Sequence, residues 1–258
     1  MYHITGYRRK VVQENLRNAF PEKSEQERKE IERKFFRYFA DLIMEIIKSI
    51  SISEKELRKH VVFENEEIIK QYNDEGKSLI GVVAHYGNWE FGGLACSTIT
   101  HIPRLYIYKP LSNKIFDDFF IKVRSKFGAT LIPMKSTLRV FTAHRKQRFI
   151  SALIADQTPV MHEAHYFTQF LNQPTAVFLG IEKLAKMTGA SVMFCDMKVI
   201  KRGYYSCKFI ELIDDPKITA EHEITEIHVQ YLEKMIRQEP QYWLWSHRRW
   251  KFKPEDKQ

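Results

Sequence analysis

Two stretches of this sequence hold side chains whose types and spacing suit proton transfer at the end of a strand. The first is Leu79-Ile-Gly-Val-Val-Ala-His-Tyr-Gly-Asn-Trp-Glu90, in which an apolar run ends at His85 and a Gly-Asn turn follows. Asn88 is placed to cap a helix that opens with Trp89 and Glu90. In one continuous helix His85 and Glu90 would point ~140° apart. A strand–turn–helix junction instead lets the Glu90 carboxylate fold back onto the imidazole. A histidine held by a carboxylate has its tautomer fixed and its cation stabilised, which is what a general base needs. The NH groups of the helix N-terminus are then placed to hold a developing oxyanion. Taken alone, His-x4-Glu also arises by chance. The second stretch is Ala152-Leu-Ile-Ala-Asp-Gln-Thr-Pro159, where Asp156 and Gln157 follow another apolar run. Asp before Thr-Pro serves ordinary turns too, but ligands in open α/β sheets bind at the carboxyl ends of strands. Convergence with His85 at one sheet edge therefore favours a site role for Asp156 and Gln157.

Two further segments carry reactive side chains. His162-Glu163-Ala-His165 lacks the i, i+4 spacing that puts two histidines on one helix face, so no metal is expected there. Glu239-Pro-Gln-Tyr-Trp-Leu-Trp-Ser-His-Arg-Arg-Trp-Lys251 is dense in aromatics and cations. Its rings suit stacking on nucleic-acid bases or locking the chain end against a sheet, with His247, Arg248 and Arg249 lining a cleft. No RNA-binding or helix-turn-helix signature accompanies it, which favours the core reading, with Arg248 as a substrate-binding candidate.

The surrounding pattern predicts the scaffold. Helices are expected over residues 7–20 and after Ser24, where Ser24 and Glu27 form a capping box. In the second helix Ile31, Phe35, Phe39, Leu42, Ile43, Ile46, Ile47 and Ile50 recur at helical spacing, a stripe for a core or for a membrane surface. Further on, strands are predicted at 79–84, 104–108, 130–132, 149–155, 191–199 and 204–212. Helices are predicted at 66–75, 89–99, 113–127, 138–146, 176–188 and 220–238. This alternation indicates an α/β fold, a mixed and mostly parallel sheet flanked by helices. Residues 1–60 form a helical N-terminal subdomain and residues 61–258 an α/β domain. The last two strands, joined at Lys201–Gly203, are expected to form an antiparallel hairpin.

The chain has 258 residues, 44% hydrophobic and 28% charged, which suits a globular protein and excludes a disordered chain. No apolar run approaches the ~18 residues of a membrane span, and the basic N-terminus lacks a signal-peptide core. Cys96, Cys195 and Cys207 have neither CxxC nor zinc-ribbon spacing, which points to reduced thiols. The net charge of +9 is concentrated: between His101 and Ile150 eleven basic residues face only Asp117 and Asp118. Such a field draws phosphate-bearing or acidic partners, whether nucleic acid, anionic lipid or an acidic carrier protein.

In order and spacing these segments resemble the late acyltransferases of lipid A biosynthesis, within the wider His-x4-Asp/Glu glycerolipid acyltransferase group. The resemblance runs through Tyr7-Arg-Arg-Lys-Val-Val, Asn15-Leu-Arg-Asn-Ala-Phe-Pro-Glu22, His85-x4-Glu90, Tyr108-Lys-Pro110, Ala155-Asp-Gln157, Thr188-Gly-Ala190 and Pro240–Lys251. It implies transfer of a fatty acyl chain from acyl carrier protein, less often coenzyme A, to a hydroxyl of a lipid A precursor. The implied place is the cytoplasmic face of the bacterial inner membrane. In that scheme His85 takes the hydroxyl proton, Glu90 orients His85, and no metal or cofactor beyond the acyl donor is needed. Asn88, Lys109, Arg124, Asp156, Gln157 and Arg248 are the substrate-binding candidates. The family usually carries an apolar anchor helix ahead of the Tyr7-Arg-Arg-Lys segment, close to where this sequence starts; the expectation is either an anchor that was removed or peripheral attachment through the basic surface and the Phe35/Phe39 helix. Lys109 stands where the family often has Arg, so it offers a point charge without a bidentate fork, and Arg124 rivals it. The alternatives are an acyltransferase for a lysophospholipid or another lipid acceptor, a lipid- or carrier-binding module without activity, and a basic nucleic-acid-binding protein.

Overall fold

The computed structural model describes residues 6–144 and 147–256; Arg145 and Lys146, part of the basic stretch and of the helix predicted at 138–146, lie outside them. Two long helices come first, α1 (Arg9–Ala19) and α2 (Glu25–Lys48). The Ser24 hydroxyl accepts from the Glu27 amide while the Glu27 carboxylate accepts from the Ser24 amide, the reciprocal box the sequence predicts. There follow α3 (Glu54–His60), β1 (Val61–Phe63), α4 (Glu67–Asp74), β2 (Leu79–Val83), α5 (Trp89–Cys96) and β3 (Arg104–Tyr108). Next come α6 (Lys114–Arg124), β4 (Thr130–Pro133), α7 (Thr137–Ala143), β5 (Ile150–Ile154), β6 (Tyr166–Phe170) and β7 (Gln173–Val177). The chain closes with α8 (Gly180–Thr188), β8 (Ser191–Lys201), β9 (Tyr204–Ile213) and α9 (Glu223–Gln238).

Seven strands form one sheet in the order β1-β9-β8-β2-β5-β3-β4. Strands β8, β2, β5, β3 and β4 run parallel, β9 is antiparallel to β8, and β1 runs parallel to β9. The architecture is thus the mixed, mostly parallel α/β sheet that the pattern predicts. β6 and β7 form a separate two-stranded hairpin. The central strand β2 is buried between β5 and β8, which explains its unbroken Leu-Ile-Gly-Val-Val run.

The N-terminal helices share their core with the sheet: Val12, Leu16, Phe20, Phe35 and Leu42 pack in one cluster with Val82, Phe194, Trp243 and Trp245. The stripe on α2 is only partly covered. Phe35 is fully buried and Phe39 stacks on it and on Tyr7. This end of the helix is therefore core and not the membrane contact suggested for Phe35/Phe39. Met44, Ile47 and Ile50, at the other end, are exposed.

Candidate active site

Strand register brings the two reactive stretches together. β2 and β5 are parallel neighbours with Val83 opposite Ile154, and the Ala155 amide donates to the Val83 carbonyl. Continuing that register by two residues sets His85 opposite Asp156 at the carboxyl ends of both strands. The His85 Nδ1 lies 2.7 Å from Asp156 Oδ1, and the His85 backbone amide donates to Asp156 Oδ2 at 2.9 Å. Trp243 Nε1 donates to the same Oδ2 at 2.8 Å. Three donors thus hold a carboxylate whose side chain is 2% exposed. Burial opposes its ionisation, but the His85 charge and the hydrogen bonds from His85 and Trp243 outweigh burial and hold the Asp156 carboxyl below its usual value.

An ionised carboxylate only accepts, so Nδ1 carries the proton and Nε2 keeps its lone pair. Nε2 lies 3.3 Å from the Gln157 side-chain amide, which is positioned to donate to it. The imidazole is half-buried, and the Trp89 ring meets it edge-on with centroids 4.8 Å apart. The imidazole thus has a fixed orientation and, in its neutral form, a fixed tautomer.

The local chain is pinned from three sides. Gly87 has φ +56°, a conformation that L side chains rarely adopt, and an added Cβ there would meet Met197 Cγ at 3.0 Å. Its amide donates to the Tyr242 carbonyl, the Leu244 amide donates to the His85 carbonyl, and Tyr38 donates to the Gly87 carbonyl. Asn88 caps α5 by accepting from the Phe91 amide, and its own amide donates to Glu45 of α2 at 2.7 Å. Asn88 is fully buried, so it builds the junction and is not open to a ligand as the sequence reading proposed.

Glu90 does not reach the imidazole, which corrects the pairing read from the His-x4-Glu spacing. Arg124 of α6 grips it with two bonds, Nε to Oε2 at 2.9 Å and Nη2 to Oε1 at 2.5 Å. Burial works against the guanidinium charge, but the Glu90 carboxylate more than offsets it and raises the Arg124 pKa. Glu90 also accepts from Trp89 Nε1 at 3.1 Å. Its link to His85 therefore runs through the Trp89 ring. α5 turns the carboxylate of its first turn toward α6, while β5 supplies the imidazole's partner.

The other candidates divide by exposure. Lys109 and Arg248 are exposed. Thr158 donates to the carbonyls of Arg248 and Arg249, tying the Asp156 loop to the C-terminal segment. Within the basic stretch, Arg104 and Lys126 bond carbonyls and Arg148 bonds Asn73, so these charges serve the fold together with Arg124. Lys109, Lys122, Lys135 and Arg139 are exposed and make no ion pair among the described residues. His162 and His165 are exposed, and no metal-binding group of three His, Cys, Asp or Glu occurs among the described residues. The cysteines are free thiols, and burial raises the pKa of each.

Three residues of the C-terminal segment lie near Asp156: His247 and Arg249, which the sequence places in a cleft, and Trp243, whose bond to Asp156 it does not reveal. Burial pushes the His247 imidazole down to about 4. The density of Trp, His and Arg in that segment was the available signal. Asn15 donates to the carbonyls of Trp245 and His247, and Arg8 to that of Ser246, so the N-terminal helix braces the same segment.

Behind Trp89 lie two small adjoining cavities, of about 40 and 30 Å³, between α5 and the sheet. They share Cys96, Tyr106, Ala152 and Cys195, and the first is lined by Ala84, next to His85 in the chain, and by Trp89, whose ring meets the imidazole. Their walls are mostly apolar.

The family model for bacterial lipid A biosynthesis acyltransferases matches residues 1–252. The chain is 26% identical over 248 residues to a lipid A biosynthesis acyltransferase of Haemophilus influenzae, covering 94% of this chain and 76% of that protein. It is 23% identical to the lipid A biosynthesis palmitoleoyltransferase of Escherichia coli, covering 96% of this chain and 80% of the relative. With the lauroyltransferase of the same organism it shares 24% identity, at the same two coverages.

Proposed function

Given that the chain belongs to the bacterial lipid A biosynthesis acyltransferase family and is an acyltransferase, we propose that it moves a fatty acyl chain from acyl carrier protein to a hydroxyl of a lipid A precursor, with His85 as the base. The observation that carries this is the 2.7 Å bond from His85 Nδ1 to buried Asp156, which leaves Nε2 as the ring nitrogen that a substrate hydroxyl can take in place of the Gln157 amide. The acceptor hydroxyl bonds to Nε2 and loses its proton to it while its oxygen attacks the thioester carbonyl. Asp156 stabilises the imidazolium that forms. The tetrahedral intermediate collapses to the ester, and the departing thiolate takes the proton back from Nε2. No oxidation state changes, so the step needs no cofactor beyond the acyl donor. The acceptor is itself the nucleophile and no acyl-enzyme is required. Glu90 acts as a positioning residue, holding Trp89 against the base.

The acyl chain inserts between α5 and the sheet by widening the small cavities behind Trp89, and each CH2 buried there contributes about 0.8 kcal/mol. A Cβ added at Gly93, which lines the first cavity, meets nothing within 4 Å. Gly93→Leu grows from this open Cβ position and takes up space that the chain would occupy. We expect this variant to lose at least ~10-fold in kcat/KM for the longest acyl donors and to keep activity with the shortest, about 1.4 kcal/mol of discrimination. Equal loss across a donor panel would place the chain elsewhere.

The proposed membrane contact is the segment around α6. Ile115 is 80% and Phe116 58% exposed, Leu111 lies beside them, and Val123 is the only buried residue of the helix. Lys109 and Lys114 flank this apolar tip, which suits an anionic lipid surface on the cytoplasmic face of the inner membrane. No helix among the described residues is long and apolar enough to cross a membrane. Ile115→Glu with Phe116→Glu is expected to cut co-sedimentation with anionic vesicles about 10-fold or more, with the melting temperature unchanged. Undiminished vesicle binding would remove this contact. The exposed Lys122, Lys135 and Arg139 remain as a docking field for the acidic carrier.

A further inference from the structure

We infer that Arg249 is a positioning residue whose buried charge balances Asp156 across an internal cavity and so sets how tightly Asp156 holds the proton on His85. The inference rests on the reading of His85 as the base.

Arg249 is 3% exposed, and no carboxylate lies within ion-pair distance of it among the described residues. Its Nη1 donates to the Ala176 carbonyl at 2.7 Å, its guanidinium lies over the Phe170 ring, and its Nε finds no partner. One bond to a carbonyl is poor compensation for a buried cation. The one carboxylate among the described residues that shares a cavity with it is Asp156: both line one small cavity with Val83, Phe170, Phe194 and His228, and the Asp156 charge acts on the guanidinium. Burial lowers the guanidinium's pKa to about 10, partly offset by the Asp156 charge, so it stays charged at neutral pH.

The remaining titratable groups around the pair do not supply this cation. His228 on α9 and His247 in the C-terminal segment are both pushed down to about 4 by burial, so both are neutral at pH 7. His228 Nε2 is buried without a partner. Glu182 on α8 contributes a distant negative charge to His228, and Arg8 at the start of α1 acts on His247 from the far side of the segment. Trp243 and Gln157 are neutral hydrogen-bonding neighbours. Arg249 is therefore the buried cation behind the carboxylate.

The sign follows from Coulomb attraction. Asp156 alone would favour the imidazolium and delay its deprotonation as the pH rises. A cation behind Asp156 weakens that hold and keeps the base neutral at lower pH. Arg249→Met removes the charge while keeping much of the volume. It is expected to move the acidic limb of the kcat/KM–pH profile up by about 0.5–1.5 pH units, with activity recovering on the alkaline side. Arg249→Lys should leave the limb within about 0.3 unit of the wild type. A purely structural role would lower activity at every pH and leave the limb in place.

Should Arg249→Met prove too unstable to assay, stability reports the same coupling. On an Asp156→Asn background the arginine has lost its counter-charge, so Asp156→Asn/Arg249→Met should melt at or above the temperature of Asp156→Asn alone. An unmoved limb in a folded Arg249→Met, or a double variant that melts below Asp156→Asn, overturns the inference. Undiminished transfer by His85→Ala would instead sink the parent reading, and the melting comparison would still score Arg249.

Discussion

Asp156→Asn is expected to cut acyl transfer by about 10²–10⁴-fold, as far as a lost general base commonly costs. Asparagine matches the carboxylate in shape but offers one acceptor and one donor where three donors now converge. Either the amide NH2 confronts His85 Nδ1–H, or the ring takes the opposite tautomer and Nε2 loses its lone pair. In both cases the imidazolium formed during the reaction has no counter-charge. The variant should bind substrates nearly as before, so the loss belongs in kcat. A second consequence concerns stability. The Asp156 carboxyl titrates below its unfolded value, so its ionised form stabilises the fold above about pH 4, and this contribution fades as the pH falls through the folded value. Melting curves of wild type and Asp156→Asn should therefore converge on acidification.

The second large effect falls on Glu90 and Arg124 and is chiefly one of stability. The Glu90 side chain is 5% exposed while that of Arg124 keeps 30%. Removing Arg124 strands a buried carboxylate, whereas removing Glu90 leaves a guanidinium that turns toward water. Breaking a buried pair from the stranded side costs about 3–5 kcal/mol, or roughly 6–20 °C for a chain of this size. Arg124→Met should thus destabilise more than Glu90→Gln, and Arg124→Met/Glu90→Gln should regain part of the loss. Thermal melts of the three variants decide it. An Arg124→Met protein as stable as the wild type would mean that the pair is not buried in solution. The sequence alone assigned Glu90 to the imidazole and Arg124 to the substrate; in the fold the two hold each other.

The elements around the site were legible because local physics dictates them. β2 and β5 are short, mostly apolar runs, the α2 capping box is formed by side chains three residues apart, and the β8–β9 hairpin turns at Lys201–Gly203. The β6–β7 hairpin was not legible. Its turn, Leu171-Asn172, takes two left-handed residues without glycine, and Pro174 interrupts the second strand. Ala176 and Val177 consequently read as the start of a helix that begins only at Gly180.

The same limit explains the site. His85, Asp156 and Gln157 were marked from local pattern as strand-end residues and Glu90 as part of a helix start. Which carboxylate meets the imidazole depends on β5 lying beside β2 in register, a relation 71 positions apart in the chain. Spacing within one segment holds no trace of it. The partners of Arg249 and Trp243 were hidden for a similar reason: they depend on what the C-terminal segment packs against.

The most direct measurement is the rate of acyl transfer from an acyl carrier protein thioester to a lipid A precursor by the wild-type protein and by folded His85→Ala. The account predicts ester product with the wild type and a rate lower by about 10³-fold or more with the variant, its melting temperature being near that of the wild type. Ester formed by His85→Ala at the wild-type rate would contradict it.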